Sequence, residues 1–331
     1  MLTIGDSIPA QLVRKTTQKG FTFNIMSIGP NELNKTTLLS ALFGRNLDLS
    51  YGETTTTRQP AGDFDPTIKK TNKADAPKDG SNPPIYISTK TFEIEEKRVR
   101  LKLTVAESEN YGDAMVLHDT YQPLVKYIDE QFADYYKRES SYNRRHIYDR
   151  MIHCLFFFIS PYGHGLTKLD LQFLQAVHSR VNIIPIIAKA EVLTLEERLA
   201  FKRRVVEDLK KNHIKVYQLG SPDMDDPEEF KRAYKDIQDA MPFAISSMTL
   251  SSECLPTERC LDWGVIDPYN LDHSDFLLLK TMLHMQIPDL CEITHDVFYE
   301  DYRLEMMQKE PCGVSFGQAL LRRAPKSVER I

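Results

Sequence analysis

A lysine and a threonine follow a turn-forming glycine at a spacing that suits phosphate binding. The stretch is Ile25–Thr37, IMSIGPNELNKTT, in which Gly29 precedes Lys35 and Thr36. In the pattern G-x-x-x-x-G-K-[ST], backbone N–H groups wrap phosphates at a helix N-terminus, the lysine adds positive charge, and the hydroxyl coordinates Mg²⁺. Asn34 stands where this pattern has its second glycine. By itself the match is weak, because a helix that merely begins after a Gly-Pro turn reads the same way.

Strands and helices alternate along the chain, which indicates how such a loop would be positioned. The runs IHCLFFFIS (152–160) and VNIIPIIA (181–188) are almost continuously apolar, as buried parallel strands are. Other strands are predicted at 21–28, 85–94, 99–105, 216–219 and 242–246, and helices at 35–43, 121–139, 169–177, 195–212, 277–285 and 297–307. This order predicts an α/β fold with a doubly wound sheet and ligands at the carboxyl ends of its strands. The polar residues 46–84 are predicted to form a mobile loop without a packed element.

The composition excludes several classes of function. The chain has 331 residues, of which 41% are hydrophobic, and a formal net charge of -5, so bulk charge gives no reason to expect a nucleic-acid partner. Apolar runs are too short to cross a bilayer, and the N-terminus lacks the pattern of a secretory signal. The five scattered cysteines predict reduced thiols. The nine histidines show no metal-binding spacing, and His153 is predicted to pack in the core.

A second motif, AKAE at Ala188–Glu191, follows one of the buried strands. GTP-binding proteins place [NTA]-K-x-D there, and the two oxygens of the aspartate accept hydrogen bonds from the two N–H groups of guanine. Three longer segments resemble septins: FFFISPYGHGLTKLDLQFLQAVHSRVNIIPIIAKAEVLTLEERLAFKRRVVEDLKKNHIKVYQLG, YIDEQFADYYKRESSYNRRHIYDRMIHC and WGVIDPYNLDHSDFLLLKTMLHMQIPDLCEITHDVFYEDYR. The last segment is similar to the element that follows the GTPase core in septins. The resemblance covers roughly Lys19 to Leu304.

The resemblance implies a three-layer P-loop GTPase fold with a septin-specific C-terminal extension. It divides the chain into a weakly basic N-terminal segment (1–20), a GTPase-like core (21–250), a septin-specific element with a terminal helix (251–308) and a short flexible tail (309–331). It implies a filament subunit that assembles with other septins and scaffolds cytokinesis and cortical or membrane-associated organisation. The expected cofactor is GTP or GDP with Mg²⁺. The expected location is the cytoplasm and cytoskeleton, at a septin ring or the cell cortex of the division site.

Several positions depart from the septin pattern where the nucleotide would bind. Septins have glycine at Asn34, Asp-Thr-Pro-Gly in place of Glu107–Asn110, and aspartate at Glu191. A side chain at Asn34 would crowd a close approach of backbone to phosphate, and added acid near a triphosphate acts in the wrong direction. The residues implied to face the nucleotide are Gly29, Asn34, Lys35, Thr36, Thr37, Glu107, Asn110, Lys189, Glu191, Ser247 and Arg259, with Thr36 as the Mg²⁺ ligand if a nucleotide is bound.

The segment that would lie near the guanine base also departs from the septin pattern. Septins place a glycine directly after the strand predicted at 242–246 and an arginine shortly afterwards. Here Ser247 takes the place of the glycine. An ungapped count assigns Cys254 and Leu255 to the region of the arginine, while Arg259 falls at a later family position.

The mobile loop carries the last departure. Catalytic septins supply a threonine from this loop to the γ-phosphate and Mg²⁺, and an ungapped count places Pro84 there, with Thr89 or Thr54–Thr57 as alternatives. Because phosphoryl transfer depends on positioning and charge neutralisation, the departures together predict a degenerate pocket and a pseudo-GTPase. The alternative is a GTP-binding, slowly hydrolysing septin whose nucleotide stabilises a subunit interface, for which Lys35 and Lys189 provide the motivation.

Surface features bear on the expected partners. Arg14, Lys15 and Lys19 form a thin basic cluster, which favours a solvated helix face over an anionic membrane as its partner. The acidic run Asp223–Glu229 is either a solvated loop or a subunit contact. The tail 309–331 contains proline and glycine and no sustained heptad, so assembly is expected to use the globular domain and no C-terminal coiled coil.

Overall fold

A seven-stranded sheet forms the centre of the fold. The computed structural model describes residues 21–47, 57–60, 85–96, 99–113, 120–142, 147–220, 228–252 and 254–309. The strands are β1 (Phe21–Ile28), β2 (Thr57–Pro60), β3 (Tyr86–Glu96), β4 (Val99–Glu109), β5 (Cys154–Ile159), β6 (Asn182–Ile187) and β7 (Phe243–Ala244). Their order is β2-β3-β4-β1-β5-β6-β7. Neighbours from β4 to β7 are parallel, whereas β3 is antiparallel to both β4 and β2.

Helices cover both faces of this sheet. They are α1 (Lys35–Phe43), α2 (Gln122–Glu139), α3 (Lys168–Val177), α4 (Leu195–Lys211), α5 (Glu228–Ala240), α6 (Phe276–Ile293) and α7 (Glu300–Lys309). Helices α1, α5 and α6 bury one apolar cluster against the sheet, which includes Leu39 and Leu283. Helices α2, α3 and α4 bury a second cluster on the opposite face, which includes Phe132 and Phe173. The predicted α/β class and its three layers are therefore confirmed.

The buried strands formed where their composition predicted them. Every residue of β5 and β6 is buried, because helices lie over both faces of these strands. The strand predicted at 216–219 is wrong, since this segment belongs to no ladder. It runs extended beside β6, and the N–H of Tyr217 donates to the carbonyl of Ile183 at 2.9 Å.

The loop predicted between residues 46 and 84 contains one packed element. Strand β2 pairs with β3, with Thr57 opposite Thr89 and Pro60 opposite Tyr86. An edge strand of four residues is held by backbone hydrogen bonds, so its polar composition did not reveal it. Other predicted features lie outside the described residues: Arg14, Lys15, Lys19, Pro84, Thr54–Thr56, the run 223–227 and the tail after residue 309.

The C-terminal part contains two small β-hairpins followed by a long, continuous helical segment. The hairpins pair β8 (Thr249–Leu250) with β9 (Pro256–Thr257) and β10 (Arg259–Leu261) with β11 (Gly264–Ile266). The two helices predicted at 277–285 and 297–307 extend towards each other, so that α6 continues through a π-helical turn (Thr294–Tyr299) into α7. None of the described helices has the length and apolarity that crossing a bilayer requires.

Gly29 packs where β1 ends against β5. A Cβ atom at this position would lie 2.6 Å from the Cβ of Phe158 and 2.8 Å from its carbonyl oxygen. We expect Gly29→Ala to lower the free energy of unfolding by about 1–3 kcal/mol, because the backbone of an overpacked site must shift. Urea unfolding followed by circular dichroism measures this change. Gly220→Ala is the matched control, since a Cβ there meets nothing within 4 Å. Equal destabilisation of the two variants would contradict the prediction.

Candidate nucleotide-binding site

The motif residues meet at the carboxyl ends of four parallel strands. Strand β1 lies between β4 and β5, and its Ser27 is opposite Glu107 of β4, so the loops leaving β1 and β4 are adjacent. The loop after β6 carries Lys189 and Glu191, and the loop after β7 carries Ser247. This edge of the sheet is where ligands bind in open α/β folds, and the predicted site residues are thus brought together there.

The ammonium group of Lys35 is buried and folded back on its own loop. Its Nζ donates to the carbonyl oxygens of Gly29 at 2.9 Å and Pro30 at 3.2 Å, and it lies 3.8 Å from Oε1 of Glu107. Burial lowers the pKa of Lys35, although the surrounding carboxylates, Glu107 first, raise it. The positive charge expected to meet a phosphate therefore already has acceptors within the chain.

Glu107 contacts both residues of the motif that would face a phosphate. Besides its ion pair with Lys35, its Oε2 accepts a hydrogen bond from the hydroxyl of Thr36 at 2.7 Å. Burial raises the pKa of Glu107, while Lys35 and the hydrogen bond from Thr36 lower it. The two oxygen groups are of the type that Mg²⁺ prefers, but the nearby ammonium opposes a divalent cation. These residues fit Mg²⁺ only together with an anionic ligand.

Asparagine replaces glycine at two positions without a change of backbone region. Asn34 has φ 52° and Asn110 has φ 65°, both in the left-handed region that glycine adopts most easily. Among residues with a side chain, asparagine tolerates this region well. The exposed Asn34 is followed directly by the first residue of α1. The loop thus keeps a backbone shape for which the septin pattern uses glycine.

Asn31 joins the loop after β1 to the loop after β4. Its Oδ1 accepts the backbone N–H of Asn110 at 3.1 Å, and its Nδ2 donates to Oδ1 of Asn110 and to Oδ2 of Asp113, each at 3.3 Å. A side chain of the chain itself therefore accepts from the amide of Asn110. Sequence reasoning missed Asn31 and Asp113, because nothing in the sequence relates residues 82 positions apart.

Tyr111 anchors the loop after β4 in the core. It is 2% exposed, its ring meets those of Phe157 and Phe173 edge-on, and its hydroxyl donates to Oδ1 of Asp170 at 3.0 Å. Asp170 also closes the capping box of α3 with Thr167. Burial, followed by the charge of Asp170, raises the pKa of Tyr111 well above its usual range. A switch loop that moves with nucleotide state would have to leave these contacts.

Glu191, the residue expected to recognise guanine, also has partners within the chain. Oε2 of Glu191 accepts the backbone N–H of Ser247 at 2.9 Å, and Nη1 of Arg259 lies 3.7 Å from Oε1. The side chain of Glu191 is 9% exposed, so these protein donors face both carboxylate oxygens in a nearly buried setting. Lys189 adopts a left-handed backbone, and its Nζ lies 5.9 Å from the centre of the Tyr162 ring.

The space between these loops is small. The cavity has a volume of about 20 Å³, room for a water-sized molecule and not for a purine ring. Its lining includes Asn34, Thr37, Lys189, Ser247 and residues of α1 and β5. In this arrangement the cavity lined by these side chains would have to widen before a guanine base could enter it.

Three positions that the comparison with the septin pattern offered as site residues lie away from Lys35 and Glu107. The hydroxyl of Thr89 lies 3.3 Å from that of Tyr127 on α2, on the opposite face of the sheet from Glu107. Cys254 and Leu255 lie in the hairpin between β8 and β9, where the N–H of Leu255 bonds Oγ of Ser251 at 3.2 Å. The arginine that does reach the candidate site is Arg259.

The parallel sheet, the loop that ends in Lys35 and Thr36, and the second motif after β6 together define the P-loop GTPase class of fold. The sequence model of the septin family matches residues 19–315, and the chain belongs to that family. It is 40% identical over 306 residues to Septin-2A of Xenopus laevis, which covers 92% of this chain and 80% of the relative.

Other relatives and a solved structure agree with this assignment. Septin-2 of Mus musculus is 37% identical, with 92% of this chain and 79% of the relative covered. Septin-1 of Drosophila melanogaster is 37% identical, with 94% and 81% covered. The crystal structure of Cdc11 from Saccharomyces cerevisiae superposes with a TM-score of 0.54 and 19% identity over 86% of this chain and 100% of that chain, which supports the fold alone.

Proposed function

We propose that this chain is a septin filament subunit whose nucleotide pocket is degenerate, and that it acts as a scaffold in assembly with other septins. Family membership supports the assembly role, and the pocket supports the loss of nucleotide chemistry. The proposal extends to cytokinesis and cortical or membrane-associated organisation, with a location in the cytoskeleton at a septin ring or the cell cortex. The proposed function does not include hydrolysis of GTP.

One observation carries the proposal on the pocket. Four groups expected to hold the nucleotide's polar parts have partners from the chain itself: Lys35 and Thr36 on Glu107, the amide of Asn110 on Asn31, and Glu191 on Ser247. A nucleotide would have to break these bonds before it could form its own. Since leaving a buried polar group unpaired costs about 1–3 kcal/mol, the combined cost opposes binding.

A second candidate is a septin that binds GTP and hydrolyses it slowly. The left-handed backbone at Asn34 and Asn110 favours it, because the shape of the phosphate loop is retained despite the loss of glycine. In that case a nucleotide with Mg²⁺ on Thr36 would displace Glu107 and stabilise a subunit interface. The two candidates differ in whether the purified protein carries nucleotide.

Extraction of nucleotide from the purified full chain tests the pocket. We expect less than about 0.1 mole of guanine nucleotide per mole of protein after heat denaturation, compared with close to one for a site filled at 100 times its Kd. A known GTPase prepared in parallel controls for losses during purification. Stoichiometric GDP or GTP would overturn the degenerate pocket and favour the second candidate.

Co-expression with other septins tests the assembly role separately. We expect the chain to co-purify with at least one of them and to enter filaments that electron microscopy detects. Expression of the chain without the other septins is the control. A chain that stays monomeric with every septin tested would overturn the scaffold function, whatever the nucleotide content.

A further inference from the structure

A cluster of titratable side chains surrounds Asp149, away from the candidate nucleotide site. Oδ2 of Asp149 lies 3.0 Å from Nε2 of His153 and 2.9 Å from Nε2 of His295, and Oδ1 accepts the N–H of Met151 at 2.9 Å. His153 is packed in the core as predicted, fully buried and stacked on Phe23 at 5.8 Å. Its acid partner lies four residues earlier in the chain, a spacing that the expectation of no metal-binding pattern did not consider.

The tautomer of His153 decides what this cluster can do. Nδ1 of His153 accepts the backbone N–H of Asn24 at 2.9 Å, so its Nε2 must carry the proton that it donates to Asp149. Two histidines and an aspartate are common zinc ligands, but a metal would need the lone pair of that same Nε2. The hydrogen bonding therefore assigns the cluster to a proton-based role rather than to a metal.

His295 is the member of the cluster that can change its charge. Its side chain is 34% exposed, and its hydrogen bond to Asp149 raises its pKa above the ordinary value of 6.5 in spite of burial. Burial alone would raise the pKa of Asp149, but the hydrogen bonds from the two histidines and the charge of His295 hold it far below its usual range. Below the raised pKa of His295, a protonated imidazole faces an ionised Asp149.

Other titratable groups around the pair come from each neighbouring element. Helix α2 contributes Tyr135, whose ring centre lies 5.7 Å from that of His295, and Glu139, which accepts from the hydroxyl of Tyr299. Helix α6 contributes Cys291. Burial, followed by the charge of Asp149, raises the pKa of its thiol to about 12. Within the π-helical turn, Asp296 adds a negative charge that favours the protonated form of His295.

The π-helical turn connects this cluster to α7. Helix α7 has no buried residue, and the aromatic stacking of Tyr299 and Tyr302 on Phe132 of α2 contributes to its attachment. A π-helical turn is rare and often marks a functional position in a helix. Because α7 carries the exposed Leu304 and Met307, the turn determines where these apolar side chains are presented.

We propose that the Asp149–His295 pair is a proton-operated latch that holds the π-helical turn to the segment preceding β5 and thereby keeps α7 packed against α2. The folded state raises the pKa of His295, so the stabilisation is fully present below the unfolded value of 6.5 and is lost as pH rises through the raised pKa. Asp149 stays ionised throughout this window. Opening of the latch loosens α7 while the sheet and its two cores remain folded.

Hydrogen exchange of the full chain tests the latch. We expect the opening equilibrium of residues 294–309, corrected for the intrinsic exchange rate, to rise about 3- to 10-fold between pH 6 and pH 9, because a neutral hydrogen bond then replaces a charge-assisted one. His295→Gln keeps a side-chain donor but cannot be charged, so it should open more at pH 6 and lose the pH dependence. The exposed His213 provides the control, and His213→Gln should behave as wild type.

Two results would overturn the latch. One is equal opening of residues 294–309 at pH 6 and pH 9 in the wild type, and the other is an unchanged pH dependence in His295→Gln. An NMR titration of His295 in the wild type provides a measurement that needs no variant. A midpoint at or below 6.5 would also refute the proposal.

Discussion

Replacing Glu107 with alanine is expected to lower the free energy of unfolding by about 3 kcal/mol, because it leaves the buried ammonium of Lys35 without its counter-charge. The side chains of the pair are 1% and 13% exposed, so water cannot replace the lost carboxylate. The substitution also removes the acceptor of the Thr36 hydroxyl. Urea unfolding measures the change, and at about 2–4 °C per kcal/mol the thermal midpoint should fall as well.

A double-mutant cycle distinguishes the interaction energy of Lys35 and Glu107 from the general effect of substituting either residue. Lys35→Met combined with Glu107→Gln should come within about 1 kcal/mol of the wild type, since no uncompensated charge remains buried. The exposed pair Lys126–Glu130 is the control, with an expected coupling below about 0.5 kcal/mol. Glu107→Ala within 1 kcal/mol of the wild type would contradict the prediction, as would stabilisation of the wild type by added GTP and Mg²⁺.

Tyr111→Ala is expected to have an effect of similar or larger size, about 3–5 kcal/mol, because a large aromatic side chain leaves a cavity between β5 and α3. Tyr111→Phe should cost about 1–2 kcal/mol, since it removes only the hydrogen bond to Asp170. Unfolding in urea measures both variants. In Tyr111→Ala, hydrogen exchange should also show the loop after β4 opening more often.

Tyr162→Ala is the matched control for the Tyr111 variants. Tyr162 is 58% exposed, so its replacement should change the free energy of unfolding by less than about 0.5 kcal/mol. A Tyr111→Ala variant as stable as Tyr162→Ala would show that the loop after β4 is not anchored. In that event the loop would be free to respond to a nucleotide, and the second candidate function would gain support.

The sequence was sufficient to predict the buried strands of the sheet and most of its helices, although not α5 or the edge strand β2. Strands covered on both faces must be apolar at nearly every position, and β5 and β6 carried this signal within their own residues. The edge strand β2 carried no such signal, because backbone pairing with β3 holds it in place and backbone hydrogen bonds do not depend on the type of side chain. The strand predicted at 216–219 was wrong for the opposite reason. Its apolar residues pack towards the core as those of a strand do, but the segment does not pair with the sheet.

The residues of the candidate site could be predicted to lie together, because parallel strands bring their carboxyl ends to one edge. What they contact could not be predicted. Glu107 reaches Thr36 across 71 positions and Asn31 reaches Asp113 across 82, and such pairs depend on the register between β1 and β4. The sequence indicated lost glycines at Asn34 and Asn110, whereas the folded backbone retains the left-handed geometry at both.

The sequence by itself determined the family, the class of fold and the positions that depart from the septin pattern, because motifs and periodicity are local properties of a chain. Only the tertiary structure decided what the departures do. The Asp149–His295 contact joins residues 146 positions apart, and the partners of Lys35 and Glu191 come from strand β4 and from the loop after β7. Hydrogen bonds act over about 3 Å, so their partners are known only once packing has set the distances between elements.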